Sequence, residues 1–438
     1  MNNMPLEQAA EIALQEATRQ GASAAEVGVS HSAGLSVTVR QGDVETLEHN
    51  NDKGLAITVY YGQTKASAST TDLRPESIAD AVKAASGIAK HTEADEFSGL
   101  ADASLMATTF PDLSLYHPWD VSAEHAIEIA MECEQAGFDV DSKINNSEGA
   151  TVSSHQGGRV YANTHGFVGS STSTRHSLSC TLIADDDRGM QRDYWYDIAR
   201  DAADLDSAVL IGQRAAKNTL RRLNARTVPT GTYPVIFAAD IAPSLFGKLI
   251  SAIRGGALYR KSTFLLDHLG KQIFPDFIHI HEQPNLLKAL GSAAYDGEGV
   301  ATQTRSIVQE GVLQGYVLDS YSARKLKMTT TANSGGVHNL TIDSGDLDFA
   351  NLLQQMGTGI VVTETMGMGV NIVTGDYSQG AAGFWVENGE IQYPIDEFTI
   401  ASNLKEMFMG IQAVGNDVEK RGNTRTGSVW IDQMKVAG

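Results

Sequence analysis

The sequence predicts an α+β fold: the N-terminal half a duplicated helix/antiparallel-strand unit, the C-terminal half a β-rich domain with few helices. Three observations predict it. Segments with apolar residues at helical spacing bracket runs of alternating residues, and this plan occurs twice before residue 225. From Tyr233 onward, short β-like runs punctuated by Gly dominate. The chain has 438 residues, too many for one ordinary core.

The first helix is expected from Pro5 to Gln20, where Leu6, Ala9, Ala10, Ala13, Leu14 and Ala17 share a face and Gly21 stops it. Alternation over Ala25 to Val29, Leu35 to Val39, Leu55 to Tyr60 and Thr64 to Ser69 predicts antiparallel strands with one face on a core. A helix opened by Pro75 buries Ile78, Ala81, Val82, Ala85, Ile88 and Ala89. The second unit repeats this plan: a helix from Ser122 to Ala136, then strands around Ala150 to Ser154, Arg159 to Ala162, Phe167 to Thr174 and His176 to Ala184. A last helix is N-capped by Asp204. The expected domains are residues 1–110, 111–225 and 229–438, with the polar stretch Glu93 to Trp119 joining the first two and Arg226 to Gly231 leading into the third.

In the third domain, Tyr233 to Phe237 reads as a strand and Pro243 to Ile253 as a helix broken by Gly255-Gly256. Strands follow at Ile307 to Gln309, Val312 to Leu318, Ile360 to Thr365 and Gly369 to Gly375. Phe384-Trp385-Val386 and Ile391 with Tyr393 flank Asn388-Gly389, a tight hairpin turn, and Pro394 marks the second strand's limit.

With 42% hydrophobic and 20% charged residues the composition is that of a folded globular protein. No apolar run reaches the roughly 18 residues of a membrane helix, and the first residues carry no export-signal pattern. Two cysteines, Cys133 and Cys180, indicate a reducing compartment and small core residues rather than a disulfide framework. A net charge of −20 argues against sequence-independent nucleic-acid binding. Arg221, Arg222 and Arg226 read as a helix end, and Arg254 with Arg260-Lys261 as a solvated loop.

The hairpin segment Gly375 to Pro394 is accompanied, in order, by Ser320 to Leu326, Gly335 to Asn339, Met356 to Gly359 and Val414 to Asp417. This ordered set resembles the TldD/PmbA family, its PmbA (or TldE) branch in particular, from Leu6 to Gly438. The resemblance implies a cytoplasmic protein in a peptide-cleaving heterodimer, with zinc on a TldD-like partner and no cofactor on this chain. It implies a peptide or unfolded protein as substrate, a homodimer when the chain is isolated, and no nucleic-acid or membrane partner. It places the active-site and peptide-binding region in residues 229–438, with Asn333, Gly335, Gly336, His338, Asn339, Tyr377, Ser378 and Gly380 as the expected peptide contacts. Glycines there let a peptide backbone approach closely, although tight turns explain them too.

A zinc peptidase helix needs two His one turn apart with a Glu to activate water. In TldD-type chains a His-Glu-x-x-x-His motif lies on the helix that follows the strand opening the third domain. The matching helix here, Pro243 to Ile253, has no His, Glu or Cys. TldD-type chains also carry a Cys ligand soon after the Gly-Asn-Asp stretch, where Lys420 to Ser428 has none. The family's zinc ligands therefore do not transfer to this sequence.

The fallback metal set is His279, His281 and Glu282, where the two His share a strand face and Pro284 forbids a ligand helix behind them. It supports one alternative, a stand-alone metallopeptidase. The other alternative is a non-catalytic regulator of the gyrase-modulator type, the role by which the family is also named.

Overall fold

The computed structural model describes residues 4–438. The N-terminal half runs α1 (Leu6–Arg19), β1 (Ala24–Arg40), β2 (Asp43–Tyr61), β3 (Thr64–Thr70), α2 (Pro75–Ala89), then α3 (Ala123–Phe138), β4 (Ile144–Asn163), β5 (Val168–Asp186), β6 (Gly189–Ala199) and α4 (Ala208–Leu220). Helix, three strands and helix thus occur twice. All six strands form one antiparallel sheet in the order β3-β2-β1-β4-β5-β6, so the two sets meet at the β1–β4 pair.

Period-two alternation explains the helix-covered face. Val27, Val29, Leu35, Val37 and Val39 all point to one side of β1. α1 and α2 bury the first two of them, while α3 and α4 bury the other three. Each such Val contributes roughly 1.5–3 kcal/mol. The opposite face is polar: Ser36 bonds Ser153 at 3.0 Å and Thr38 bonds Thr151 at 2.9 Å across the strands.

Several expectations are corrected here. The run Ala25 to Val29 joins Leu35 to Val39 in one long strand, and Ala150 to Ser154 likewise joins Arg159 to Ala162. The polar residues between them stay in the ladder because a neighbour pairs on both sides. β6 was not expected. The N-cap of α4 is Ser207, whose hydroxyl accepts from Leu210 N at 3.3 Å; Asp204 ends a short 3₁₀ turn instead.

The third domain contains β7 (Gly231–Phe237), α5 (Pro243–Ile253), α6 (Gly255–Tyr259), β8 (Ile280–Glu282), β9 (Arg305–Gln309), β10 (Val312–Leu313), α7 (Ser320–Leu326), β11 (Leu340–Ile342), α8 (Phe349–Met356), β12 (Gly359–Met366), β13 (Asp376–Glu387), β14 (Glu390–Asn403), α9 (Leu404–Met409), β15 (Ile411–Val414), β16 (Thr424–Arg425) and β17 (Val429–Ala437). One sheet has the order β10-β9-β8-β11-β16. The other, β14-β13-β12-β7-β17-β15, closes through a β14–β17 pairing into a five-stranded barrel with β15 attached. Phe237, Phe398, Ile360 and Ile431 lie in its core, α5 against it through Leu245, Phe246 and Leu249.

The hairpin turn has φ 53° at Asn388 and 77° at Gly389, the paired positive φ of a tight turn. Pro394 does not end β14. Beside β13 it meets only a single bridge from Arg226, which uses the Pro394 carbonyl (Arg226 N to Pro394 O, 2.9 Å) and not its missing N–H, and β14 continues to Asn403. Gly369 to Gly375 is a loop, Val312 to Leu318 is strand only over its first two residues, and Gly255-Gly256 opens α6. No helix among the described residues is long and apolar enough to cross a membrane.

Candidate functional site

The loop before β11 holds five of the eight expected peptide contacts, and the structure braces it from within. Glu282 is 2% exposed. Its carboxylate accepts from Arg305 Nε at 2.8 Å, Asn333 Nδ2 at 2.7 Å and His338 N at 2.8 Å. Asn333 in turn accepts from Arg305 Nη2 at 2.8 Å and Thr331 Oγ1 at 2.7 Å, and donates to Gly336 O at 3.0 Å. Asn339 is fully buried, donating to Gln283 O and Ser292 Oγ and accepting from Gly291 N. His338 bonds Gly291 O through Nδ1 at 3.2 Å, while its buried Nε2 has no partner. Gly335 is the exposed member of the loop.

The other three expected contacts lie on β13 in the barrel, and no hydrogen bond joins them to that loop among the described residues. Tyr377 is buried edge-on against Phe237, and burial raises its hydroxyl pKa. Ser378 is exposed, and Gly380 pairs with Met366.

The fallback metal set is divided by the strand. His279 and His281 stack with ring centroids 6.4 Å apart on the outer side. Glu282 faces inward into the Arg305 ion pair. Among the described residues, no three His, Cys, Asp or Glu side chains converge as a metal-ligand set.

Sequence reasoning missed a charged cleft between the two halves, with adjoining cavities of about 620 and 390 Å³. Trp195 on β6, Arg221 at the end of α4, Asp240 before α5, Thr363 on β12 and Arg421 line both cavities. The Trp195 ring lies under two guanidinium groups, Arg214 at 3.6 Å and Arg421 at 3.7 Å from its centroid. Arg421 is held by Glu419, with Nε to Oε1 at 2.8 Å, and donates to Tyr196 O at 2.8 Å. Arg222 bonds Glu364 at 2.6 Å with Asp193 at 3.7 Å, tying the halves together. Asp240 and Arg221 keep solvent contact along the cleft yet are flanked by enough protein to be desolvated. Desolvation raises the Asp240 pKa against the pull of Arg221, and lowers that of Arg221. The one sequence signal was the Arg221-Arg222-Arg226 cluster.

β6 is the sheet's outer strand at this cleft, but its edge is partly occupied. Tyr194 O accepts from Asn218 Nδ2 and Tyr196 O from Arg421.

Two of the sequence motifs act as clamps around these elements. Asp417 accepts from Ser428 N at 2.9 Å and Ser428 Oγ at 2.6 Å, closing the loop that carries Glu419 and Arg421. In α7, Tyr321 donates to Asp95 at 2.6 Å and Arg324 donates to Phe97 O, Gly99 O and Leu100 O, docking the connector onto the third domain.

The chain matches three family models: PmbA/TldA metallopeptidase domain 1 over residues 25–89, the central domain over 116–223 and the C-terminal domain over 230–438. It is 51% identical over 433 residues to Metalloprotease PmbA of Escherichia coli O157:H7, covering 99% of this chain and 96% of that protein. A solved protein from Bacteroides thetaiotaomicron superposes with a TM-score of 0.94 at 29% identity, covering 99% of this chain and 98% of the other. TldE from Thermococcus kodakarensis shares the fold, with a TM-score of 0.87 at 20% identity over 98% and 100% of the two chains.

Proposed function

The chain belongs to the PmbA/TldD metallopeptidase family, and on that premise we propose that it is the supporting subunit of a cytoplasmic peptide-cleaving complex. A TldD-like partner carries the zinc and the water-activating Glu. This chain contributes structure and a wall of the peptide path.

The observation that carries this reading is the content of the cleft. The start of α5 and the segment from Asp417 to Ser428 are the counterparts of the ligand-bearing segments of TldD-type chains, and both line it. The polar side chains they bring are Asp240, Ser244, Glu419, Lys420, Arg421 and the Asp417–Ser428 pair, whose carboxylate is taken up by Ser428, with Arg221 opposite. Arg221 and Arg421 beside one exposed carboxylate repel a dication, and Glu419 is already committed to Arg421. These residues do not fit zinc.

Peptide contact falls to Gly335, Gly336 and His338 on one loop, Ser378 and Gly380 on β13, and the stacked Arg–Trp195–Arg face of the cleft. Asn333, Asn339 and Tyr377 hold those groups in place from below. Without its partner the chain pairs with a second copy through the same surface.

The test is assembly with metal analysis. Mixing the pure chain with a TldD-like partner gives a one-to-one complex with about one zinc per pair, while this chain alone holds none. A stoichiometric zinc on the isolated chain would overturn the proposal.

A further inference from the structure

A second cavity lies apart from the cleft, in a part of the molecule to which no role attaches so far. It encloses about 550 Å³ between the polar face of the N-terminal sheet, the connector over residues 110–117 and the third-domain loop over residues 292–296. We propose that it binds the carboxylate end of a ligand with an aromatic or apolar body, of the class of a peptide C-terminus or an N-acylated amino acid.

Three features point to that chemistry. Arg159, on β4, lines the cavity and makes no hydrogen bond or ion pair among the described residues, in a protein of net charge −20. A guanidinium free of protein partners is a ready bidentate carboxylate receptor. Beside it on β5 is the hydroxyl of Ser171, its direct cross-strand neighbour. The buried Tyr295 hydroxyl lies beside Ser171 and within the field of Arg159, so the three groups converge on one point.

The apolar wall is equally defined. Phe110 and Tyr295 meet edge-to-face at 5.9 Å, and both pack on Phe167. Tyr295 reaches this place because Gly169 lies beneath its ring; a Cβ there would come within 2.6 Å of it. The two carboxylates in the lining are engaged by backbone. Asp296 accepts from Glu298 N, Val300 N and Ser334 N, and Asp112 from Ser114 N. The connector gives an entry. It is tied down at Ala107 and again from Leu113, and no backbone hydrogen bond joins residues 108–112 to the rest of the described structure.

Calorimetric titration of the full chain decides the matter, with acetyl-phenylalanine, its uncharged amide, and an acetylated tetrapeptide ending in free phenylalanine. The acid binds and the amide binds at least about tenfold more weakly, the scale of one charge-assisted hydrogen-bond pair. Arg159→Gln loses at least about tenfold for the acid, while Arg175→Gln, on the same face of the sheet but on β5 and outside the cavity, does not. Tighter binding of the tetrapeptide identifies a chain end as the natural ligand, and equal binding identifies a free amino-acid derivative. Both support the site. Equal affinity for acid and amide, no binding of either, or an Arg159→Gln protein that binds as the wild type does would overturn it. Arg159 is exposed, so its replacement leaves folding intact, which the thermal midpoint checks.

Discussion

Truncating Asn333 to alanine separates a brace from a contact. The side chain is 3% exposed, and its removal acts on four neighbours at once, Gly336 O among them losing its donor. Glu282 loses one of its donors, and Arg305 Nη2 and Thr331 Oγ1 lose their acceptor. Glu282 keeps Arg305 Nε and His338 N, so its charge is not stranded outright. A lost hydrogen bond to a charged group costs about 1.5–3 kcal/mol, so a total of about 3 kcal/mol is expected for Asn333→Ala. Glu282→Ala, which leaves the half-buried Arg305 without its counter-charge, costs more, roughly 3–5 kcal/mol. In a domain of this size 3 kcal/mol lowers the melting midpoint by roughly 6–12 °C. Calorimetric unfolding of the pure variant reads this directly. If Asn333→Ala melts with the wild type while peptide turnover by the complex collapses, Asn333 touches substrate and the bracing account is wrong.

Three further outcomes are expected. Burial raises the Glu298 pKa from 4.5 to about 7. A raised folded-state pKa means stability that is complete below pH 4.5 and lost as pH rises through 7, by at most roughly 3 kcal/mol; Glu298→Gln abolishes that loss, and a variant with the wild-type pH profile of melting would contradict it. Arg222→Ala removes the bonded partner of Glu364 and one of the two guanidinium groups beside Asp193 at the junction of the halves, and costs about 1.5–3 kcal/mol, measured as separation of one thermal transition into two; an unchanged single transition counts against the tie. His338→Ala lowers peptide turnover by the complex severalfold without preventing assembly, and normal turnover removes His338 from the peptide path.

Local signals carried much of the fold. Pro at the first turn and a dense apolar stripe fixed α5 to Pro243–Ile253, and Asn388-Gly389 fixed the barrel hairpin. The long strands were harder. Ser30 to Gly34 break the alternation of β1 because the sheet's centre lies between the two helix pairs, where neither core needs an apolar residue. β6 was hidden because its aromatic face packs under arginines rather than aliphatic side chains. The cleft left one trace in the sequence, the Arg221-Arg222-Arg226 cluster, which reads as a helix end. Trp195 and Arg421 lie 226 positions apart in the sequence, so only tertiary structure reveals their stacking. The expected contact loop was found at the right place, but sequence does not distinguish a buried Asn that accepts from Arg305 from one that greets a peptide.

Peptide hydrolysis by this chain, by a TldD-like partner and by the two mixed separates a supporting subunit from a self-sufficient peptidase. The account predicts turnover in the mixture, its loss when the partner's zinc motif is mutated, and no loss when Asp240 of this chain becomes alanine beyond a weakened affinity for peptide. Metal-dependent hydrolysis by this chain alone would contradict it.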